Sequence, residues 1–320
     1  MSHLVISRED IPLMRFQLDG DETDLGSSPR ADVWLDHPKV EPVHATLVET
    51  REGDHLLNGE GDPLADGAVI ALGPFQALYR NTRRNRPRKA DWALPMDWSP
   101  SAQRSVGRYD NLIVASDRLF DVISRIDGQR RYDRWRVFFG PSGAGKSRVI
   151  RAAYRRLGLQ QPLREVDCAA LDPATAAQAM EEAGLFRPKN GFQPGFMDVH
   201  RLPMAVQERL TDAFRDDLLY FSFAQAPSQI PELHPKLLKD FSDVHELLPL
   251  AKRPGEAAAL FDVLMQLQAV DAPPPLERAA LDRLVAHHWP GNVRELKNLV
   301  QRLLLSGRRE PIRAEDLGIP

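Results

Sequence analysis

Short segments rich in apolar residues occupy the first eighty positions of the chain and predict β-strands. Gly, Asp, Pro and Asn residues separate these segments, and the spacing predicts a β-sandwich over residues 1–82. The predicted strands are LVISRE (4–9), LMRFQLD (13–19), DVWLD (32–36), HATLVET (44–50), HLLN (55–58) and AVIALGPFQALYR (68–80).

After residue 107 the pattern changes to apolar segments that alternate with segments of helical period. Such alternation predicts an α/β core with a parallel, doubly wound sheet over residues 107–251. The predicted strands are RWRVFFG (134–140), LREVDCAAL (163–171), GFMDV (195–199) and LLYFSFAQAP (218–227). The predicted helices are NLIVASDRLFDVISRI (111–126), KSRVIRAAYRRLG (146–158) and PMAVQERLTDAF (203–214).

Only helical patterns follow, and they predict a small α-helical lid over residues 252–320. Its segments are EAAALFDVLMQLQAV (256–270), PLERAALDRLVAHH (275–288) and NVRELKNLVQRLLL (292–305). In the last of them Val293, Leu296, Val300 and Leu303 form one apolar stripe at helical spacing.

Residues 83–106, between sandwich and core, are basic and rich in proline. Six arginines and lysines fall within ten positions from Arg80 to Lys89. Such a run either contacts nucleic acid or is a solvated connector, and we favour the connector. The whole chain has a net charge of −3, so it has no global attraction for nucleic acid.

The composition of the 320 residues is typical of a water-soluble protein, with 42% hydrophobic and 27% charged residues. Cys168 is the single cysteine, which excludes an internal disulfide. No apolar run reaches the roughly 18 residues of a membrane span. We therefore expect a cytoplasmic protein that does not associate with membranes.

The stretch GPSGAGKS (140–147) fits the phosphate-binding pattern G-x-x-x-x-G-K-[ST] between a predicted strand and a predicted helix. The glycines allow backbone N–H groups to surround phosphates, and the helix N-terminus adds positive potential. Lys146 is expected to reach the β- and γ-phosphates of ATP or ADP, and Ser147 to bind Mg²⁺. The residues expected to bind nucleotide here are Gly140, Ser142, Gly143, Ala144, Gly145, Lys146 and Ser147.

The lid sequence WPGNVREL (289–296) resembles the lid signature of bacterial enhancer-binding proteins, the AAA+ activators of sigma-54 RNA polymerase. VDCAAL (166–171), GLF (184–186) and DVHRLPMAVQERL (198–210) are similar to further segments of that family. The resemblance covers about residues 107–320. It implies that Arg294 is the sensor II arginine that contacts nucleotide phosphates. It also implies self-assembly or assembly with other AAA+ subunits, and contact with the sigma-54 machinery.

The sequence DLGSSPRADVWLDHPKVEPVHATL (24–47) resembles the forkhead-associated (FHA) domain, with His44 at that family's structural histidine. In that family an arginine and a serine grip phosphothreonine. Ser27 and Glu41 occupy those positions here, so a phosphate would lose its cation and meet a carboxylate. Arg30 lies nearby and is a weak substitute. We predict a phosphate-blind domain used for docking, with a turn at Asn58-Gly59.

The family's second nucleotide motif, a strand that ends in Asp-Glu, retains one acid here, which is Asp198. Aligned through VHRLP, Asp198 takes the place of the catalytic glutamate and Met197 that of the metal-binding aspartate. With a one-residue deletion, Asp198 would instead bind the metal. Asp198 is thus the predicted catalytic residue and, with Ser147, the predicted metal site.

Other departures concern the parts that couple ATP to work. The family's GAFTGA loop is absent, because only eleven residues separate Phe186 from Asp198. Gln225 is the one polar candidate for sensor I, and Lys239 is the nearest cation in the region of the arginine fingers (237–247). A lysine lacks the planar fork of arginine. The sequence continues to RAEDLGIP (313–320) without a helix-turn-helix, so we expect no sequence-specific binding of DNA.

Three functions fit these observations. The favoured one is a regulatory protein that binds nucleotide, hydrolyses it weakly and acts through protein contacts. The alternatives are an active ATPase that regulates sigma-54-dependent transcription, and a scaffold of a bacterial apparatus such as a secretion system. Fold alone does not decide between them.

Overall fold

The computed structural model describes most of the chain and divides it into two compact units, residues 1–107 with 253–320 and residues 108–252. The described ranges are 2–18, 22–50, 53–81, 96–98, 104–109, 112–114, 117–128, 135–157, 163–186, 192–214, 217–253 and 255–319. Residues 2–81 are called the N-terminal domain below, and residues 255–319 the lid.

The described residues of the N-terminal domain form eight strands, in agreement with the predicted β character. They are β1 (His3–Arg8), β2 (Ile11–Gln17), β3 (Glu22–Gly26), β4 (Val33–Trp34), β5 (Ala45–Glu49), β6 (His55–Leu57), β7 (Val69–Leu72) and β8 (Phe75–Arg80). They form two four-stranded sheets with the strand orders β2-β1-β8-β7 and β4-β3-β5-β6. Neighbouring strands are antiparallel, apart from the parallel pair β3 and β4.

Two details of the N-terminal domain differ from the prediction. Strand β3 was not among the predicted strands, and the segment 68–80 forms two strands instead of one. Gly73 separates β7 from β8 with φ of 64°, a conformation that glycine adopts without strain. A Cβ there would lie 2.8 Å from Lys39 O, so the turn also needs glycine for close packing.

The predicted linker contains strand β9 (Met96–Trp98) and the first residues of strand β10 (Arg104–Tyr109). Residues 96–98 pair with residues 104–106 in antiparallel register. The basic run from Arg83 to Lys89 lies outside the described residues.

The second unit has the predicted α/β character and a parallel five-stranded sheet of order β13-β14-β15-β12-β16. The strands of the five-stranded sheet are β12 (Trp135–Phe139), β13 (Leu163–Asp167), β14 (Gln193–Met197), β15 (Leu219–Phe223) and β16 (Asp243–Glu246). The unit also has strand β11 (Leu112–Val114), which lies outside this sheet. Its helices are α1 (Asp117–Gly128), α2 (Lys146–Arg156), α3 (Ala176–Glu182), α4 (Met204–Ala213) and α5 (Pro235–Asp240).

The single helix predicted over 111–126 is wrong in its first part. Residues Leu112–Val114 form β11, and helix α1 begins only at Asp117. Isoleucine and valine favour extended backbone because their branched side chains are restricted in a helix. The structure also has α3, α5 and β16, which the sequence analysis did not predict.

The five-stranded sheet carries one apolar cluster on each face. Trp135 and Val137 of β12 pack with α3, α4 and α5 residues on one face. Phe138, which follows Val137, packs with α1 and α2 residues on the other face. This alternation along β12 explains why the strand is apolar on both sides, as expected for a parallel sheet covered by helices.

The lid contains three helices, α6 (Glu256–Gln268), α7 (Arg278–Ala286) and α8 (Asn292–Leu305). Leu296, Val300 and Leu303 of the predicted stripe are buried. The turn before α8 has positive φ at Trp289 and Asn292, and the Trp289 side chain is buried. In the described part of the chain, no helix is both long and apolar enough to cross a bilayer.

Glu295 holds this turn in place. Its Oε2 accepts a hydrogen bond from Gly291 N at 2.8 Å, and its Oε1 lies 2.9 Å from His287 Nε2. Trp289 Nε1 donates to Leu284 O at 3.0 Å. The residues of the WPGNVREL motif therefore make a local framework that sets where α8 begins.

Candidate phosphate-binding site

The predicted phosphate loop connects β12 to α2, and its shape depends on glycine. Gly140, Gly143 and Gly145 have φ values of 147°, 76° and 105°, which L side chains rarely adopt. A Cβ on Gly140 would overlap Leu247 O, the residue that follows β16. The loop thus packs its first glycine against the next strand of the sheet.

Lys146 Nζ donates hydrogen bonds to Gly140 O at 2.7 Å and Pro141 O at 3.1 Å, so its ammonium lies over the loop. Helix α2 begins at Lys146, and its N-cap Gly145 provides no side-chain cap. The first N–H groups of a helix together with its dipole attract anions. The geometry of this loop therefore suits phosphate oxygens.

Ser147 Oγ lies 4.0 Å from Met197 Sδ, so the hydroxyl faces the end of strand β14. In the sheet, Met197 pairs with Ser222 of β15 and with Asp167 of β13. Met197 is thus a β14 residue that approaches Ser147. This contact agrees with the alignment in which Met197 takes the place of the aspartate and Asp198 that of the glutamate.

Asp198 follows β14 in a left-handed conformation, with φ of 51°. Its backbone N donates to Ser222 O at 2.8 Å, which ties the residue to the end of β15. Its Oδ1 is buried and has no hydrogen-bond partner among the described residues. A carboxylate oxygen with unused acceptor capacity is suited to receive a proton donor such as water.

The charge of Asp198 affects the pKa values of two neighbouring residues, His200 and Cys168. Burial lowers the pKa of His200, while the carboxylate of Asp198 opposes this shift. Burial, followed by the charges of Asp167 and Asp198, raises the pKa of the Cys168 thiol far above its usual range. Asp167 and Asp198 therefore act on the same buried thiol at the ends of β13 and β14.

Magnesium prefers oxygen ligands. Ser147 offers a hydroxyl, whereas the thioether of Met197 is a soft group that magnesium does not select. No group of three or more His, Cys, Asp and Glu side chains suited to a metal occurs in the described part of the chain. The backbone N–H groups of the loop and the ammonium of Lys146 are suited to bind phosphate. For magnesium, Ser147 offers one oxygen ligand, and the other oxygens would have to come from a nucleotide.

The other predicted site residues lie on exposed positions. Gln225 follows β15, and its Nε2 donates to Gln229 O at 3.4 Å, within its own turn. Lys239 lies on α5 in the same unit as the loop. Arg294 lies on α8 of the lid, which belongs to the other unit.

In the N-terminal domain, the residues after β3 are held by those before β5. Ser27 N donates to Glu41 O at 2.8 Å, and a Cβ on Gly26 would overlap Pro42 O. His44 Nδ1 accepts a hydrogen bond from Glu41 N at 3.3 Å. This contact agrees with a structural role for His44.

The predicted turn after β6 is present. Asn58 and Gly59 have φ values of 53° and 74°, and Glu60 N donates to Leu57 O. Two consecutive positive φ values are typical of a tight hairpin turn. The side chain of Asn58 also accepts from Thr46 N at 3.0 Å, which fixes the turn to β5.

A buried polar cluster in the second unit was missed by the sequence analysis. His245 Nε2 lies 2.8 Å from Asp243 Oδ2, and Arg136 Nε lies 3.8 Å from the same oxygen. Burial raises the pKa of the adjacent Tyr220 to about 12. The one available signal was Arg136, a charged residue inside the apolar strand RWRVFFG.

The chain is similar to known proteins in its lid and over more than half of its length. A family model described as an AAA+ ATPase lid domain matches residues 252–318. The Psp operon transcriptional activator of Escherichia coli K12 is 25% identical over 230 residues, which cover 60% of this chain and 71% of that protein. The sigma54-dependent transcriptional activator SfnR of Pseudomonas putida is 25% identical over 218 residues, covering 57% of this chain and 59% of that protein.

Among solved structures, NtrX from Brucella abortus in complex with ATP matches with a TM-score of 0.54 and 23% identity. The match covers 66% of this chain and 56% of that chain. At this identity the match shows a shared fold. Together the comparisons show a lid that matches the AAA+ ATPase lid family and a chain similar to sigma54-dependent activators, and for SfnR and NtrX the chain spans less than two thirds of their length.

Proposed function

We propose that the protein is an AAA+ regulator that binds ATP or ADP in the loop 140–147, hydrolyses ATP slowly and acts through protein contacts. The proposal depends above all on the contact between Ser147 Oγ and Met197 Sδ. In this contact the phosphate loop meets a sulfur atom. The family resemblance implies a metal-binding carboxylate at that place.

Nucleotide binding is supported by the loop geometry. Three glycines with positive φ shape the loop, Lys146 lies over it, and α2 begins there without a side-chain cap. NtrX, a structural neighbour, has been crystallised with ATP and with ADP. Ser147 would hold Mg²⁺ together with phosphate oxygens of the nucleotide.

Slow hydrolysis follows from the groups that would have to stabilise the transition state. Asp198 would act as the base that orients water, whereas Met197 offers a thioether beside Ser147 and no carboxylate for a metal. Gln225 and Lys239 are exposed substitutes for the sensor I pair and the arginine finger. Loss of an arginine finger alone costs about 10³–10⁵ in rate.

The partners we propose are other copies of this chain, complete AAA+ subunits and the sigma-54 machinery. The support is the match of the lid to an AAA+ family model and the similarity to a sigma54-dependent activator. The FHA-like N-terminal domain would dock without phosphate, because Ser27 and Glu41 replace the phosphate-binding pair. Arg294 would sense the nucleotide from the lid.

An active ATPase that drives sigma-54-dependent transcription is the second candidate. It is favoured by the similarity to the Psp operon activator over 71% of that protein's length. It is also favoured by the unpaired Oδ1 of Asp198, which is suited to activate water. The rate of hydrolysis separates the two candidates.

The test is a thermal-shift titration with ATP and ADP, followed by a measurement of phosphate release. A ligand that binds only the folded state raises its melting temperature. We expect stabilisation that Lys146→Ala abolishes and that Lys252→Ala, an exposed control in the same unit, leaves unchanged. Turnover should stay well below about 1 s⁻¹. No stabilisation of the wild type would refute nucleotide binding, and activator-like turnover lost in Asp198→Ala would favour the second candidate.

A further inference from the structure

Two strands of the N-terminal domain, β2 and β4, stand at the edges of their sheets. An edge strand carries N–H and C=O groups that have no partner within the sheet. In this protein, groups of both edges meet residues of the lid, which belongs to the same compact unit.

Gln301 of α8 pairs with the edge of β4. Its Oε1 accepts from Trp34 N at 2.9 Å, and its Nε2 donates to Asp32 O at 3.0 Å. Residues two apart present their backbone groups to the same side of a strand. The side-chain amide of Gln301 therefore takes the place of a neighbouring strand, and Gln301 is fully buried.

The same face of α8 makes two further contacts with the N-terminal domain. Asn298 Nδ2 donates to Pro29 O at 2.9 Å. Lys297 Nζ lies 3.8 Å from Asp32 Oδ1 and 5.4 Å from the centre of the Phe16 ring. Residues 297, 298 and 301 lie on neighbouring positions of one helical face.

The edge of β2 meets the lid as well. Met14 forms an antiparallel bridge with Ala269, at the end of α6. Met14 and Phe16 are buried. Gly307, just after α8, lies beside the Leu13 side chain. Backbone pairing and apolar contact at β2 thus accompany the polar contacts at β4.

We infer that the N-terminal domain is stably docked on the lid, with Gln301 as the residue that recognises the edge of β4. Separation would expose the edge groups of both sheets and would leave the buried amide of Gln301 without partners. A buried polar group that loses its hydrogen-bond partner destabilises the separated state. The contacts made by Gln301, Asn298 and Met14 would all be lost in the same step.

In the docked arrangement, the loop after β3 contacts the lid. In FHA domains the positions equivalent to Ser27 belong to the ligand-binding surface, as the resemblance implies. Here Pro29 O and Asp32 O of the same loop accept hydrogen bonds from the lid. Helix α8 of the same chain therefore contacts this loop at Pro29 and Asp32. If the proposed nucleotide binding moves the lid, the N-terminal domain moves with it.

The experiment uses the full chain with a site-specific protease sequence in place of residues 86–92. After cleavage, size-exclusion chromatography with light scattering measures whether the two fragments remain together. We expect one species with a mass near the 36.0 kDa of the intact chain. Separation of the wild-type fragments at micromolar concentration would overturn the inference.

A double variant, Gln301→Leu with Asn298→Leu, tests the assigned contacts. We expect the dissociation constant of the cut fragments to rise about 10–100-fold, from the loss of buried hydrogen bonds. Gln266→Leu is the matched control, because Gln266 is an exposed residue of α6 whose Nε2 donates to Asp262. A double variant that binds like the wild type would overturn the role of Gln301.

Hydrogen exchange of the uncut double variant checks that it is folded. The Trp34 amide should exchange at least tenfold faster, while amides of β1 and of α8 remain protected. Unchanged protection of Trp34 would also contradict the inference. Lys146→Ala, cut in the same way, should lose nucleotide binding and keep the fragments together. This variant separates a failure of the docking from a failure of the proposed function.

Discussion

Ser147 Oγ, in the phosphate loop, faces Met197 Sδ at the end of strand β14 at a distance of 4.0 Å. A thioether at this place is a soft and uncharged neighbour for a site that must hold a hard cation. This contact joins the phosphate loop to strand β14, and substitutions at Met197 and at the adjacent Asp198 test its consequences.

Met197→Asp should create a second oxygen ligand beside Ser147. We expect the variant to bind ATP about tenfold more tightly in the presence of Mg²⁺ than in EDTA, because the new carboxylate binds the metal. The wild type should show a smaller ratio. Calorimetric titrations with and without Mg²⁺ measure it, and Met197→Leu is the control of similar volume. Equal ratios in Met197→Asp and Met197→Leu would contradict the assignment of Met197.

Asp198→Asn should remove the remaining hydrolysis and keep nucleotide binding. The amide retains the shape of the side chain but no longer accepts a proton from water. We expect at least a tenfold loss of phosphate release with a dissociation constant for ADP within about threefold of the wild type. Single-turnover assays and calorimetry measure the two quantities. A variant that hydrolyses ATP as fast as the wild type would assign the reaction to another group.

Asp243→Asn should destabilise the second unit without affecting the phosphate loop directly. Asp243 lies among Arg136 and His245 and is nearly inaccessible to solvent. Loss of one partner in a buried ionic cluster costs about 3–5 kcal/mol. Chemical denaturation measures the change, and Asp240→Asn at the exposed end of α5 is the control. A cost below about 1 kcal/mol would mean that the cluster is accessible to water.

The thiol of Cys168 should react very slowly with a thiol reagent in the folded protein. Its pKa is raised by burial and by the charges of Asp167 and Asp198, so the reactive thiolate is scarce at pH 8. A rise of pH to 9 should increase the rate without reaching a plateau. The denatured chain, with the same single cysteine, provides the reference, and we expect at least a hundredfold faster reaction there. Comparable rates in both states would show that the site is open.

The N-terminal domain should not bind phosphothreonine peptides. Ser27 offers no cation, and the carboxylate of Glu41 repels a dianion. Fluorescence anisotropy with paired phosphorylated and unphosphorylated peptides should show no difference for the wild type. Ser27→Arg with Glu41→Ser tests whether charge alone was the obstacle. Phosphate-dependent micromolar binding by the wild type would refute the prediction.

Several features followed from the sequence because they are local. The phosphate loop, with its three glycines and Lys146, depends on consecutive residues and on the strand and helix that flank them. The turn at Asn58-Gly59 and the apolar stripe of α8 are local in the same sense. The segment 111–126 shows the limit, since β-branched residues at 113 and 114 allow a strand where the period alone predicted a helix.

The arrangement of the sheet brings together residues whose proximity the sequence had left open. Two alignments of Met197 and Asp198 fitted the sequence, one through VHRLP and one with a one-residue deletion. The pairing of β14 with β15 and the contact with Ser147 favour one of them. The cluster of Arg136, Asp243 and His245 likewise depends on strands that are distant in the chain.

The sequence by itself determined the phosphate loop, the lid motif and the β character of the N-terminal domain, because each depends on neighbouring residues. Only the tertiary structure decided that Gln301 reaches Trp34, a residue 267 positions away. Such a contact leaves no periodic signal, since a buried glutamine in a helix has the same sequence pattern as an exposed one. Its role follows from the unpaired edge of β4, and that edge exists only once the sheet has formed.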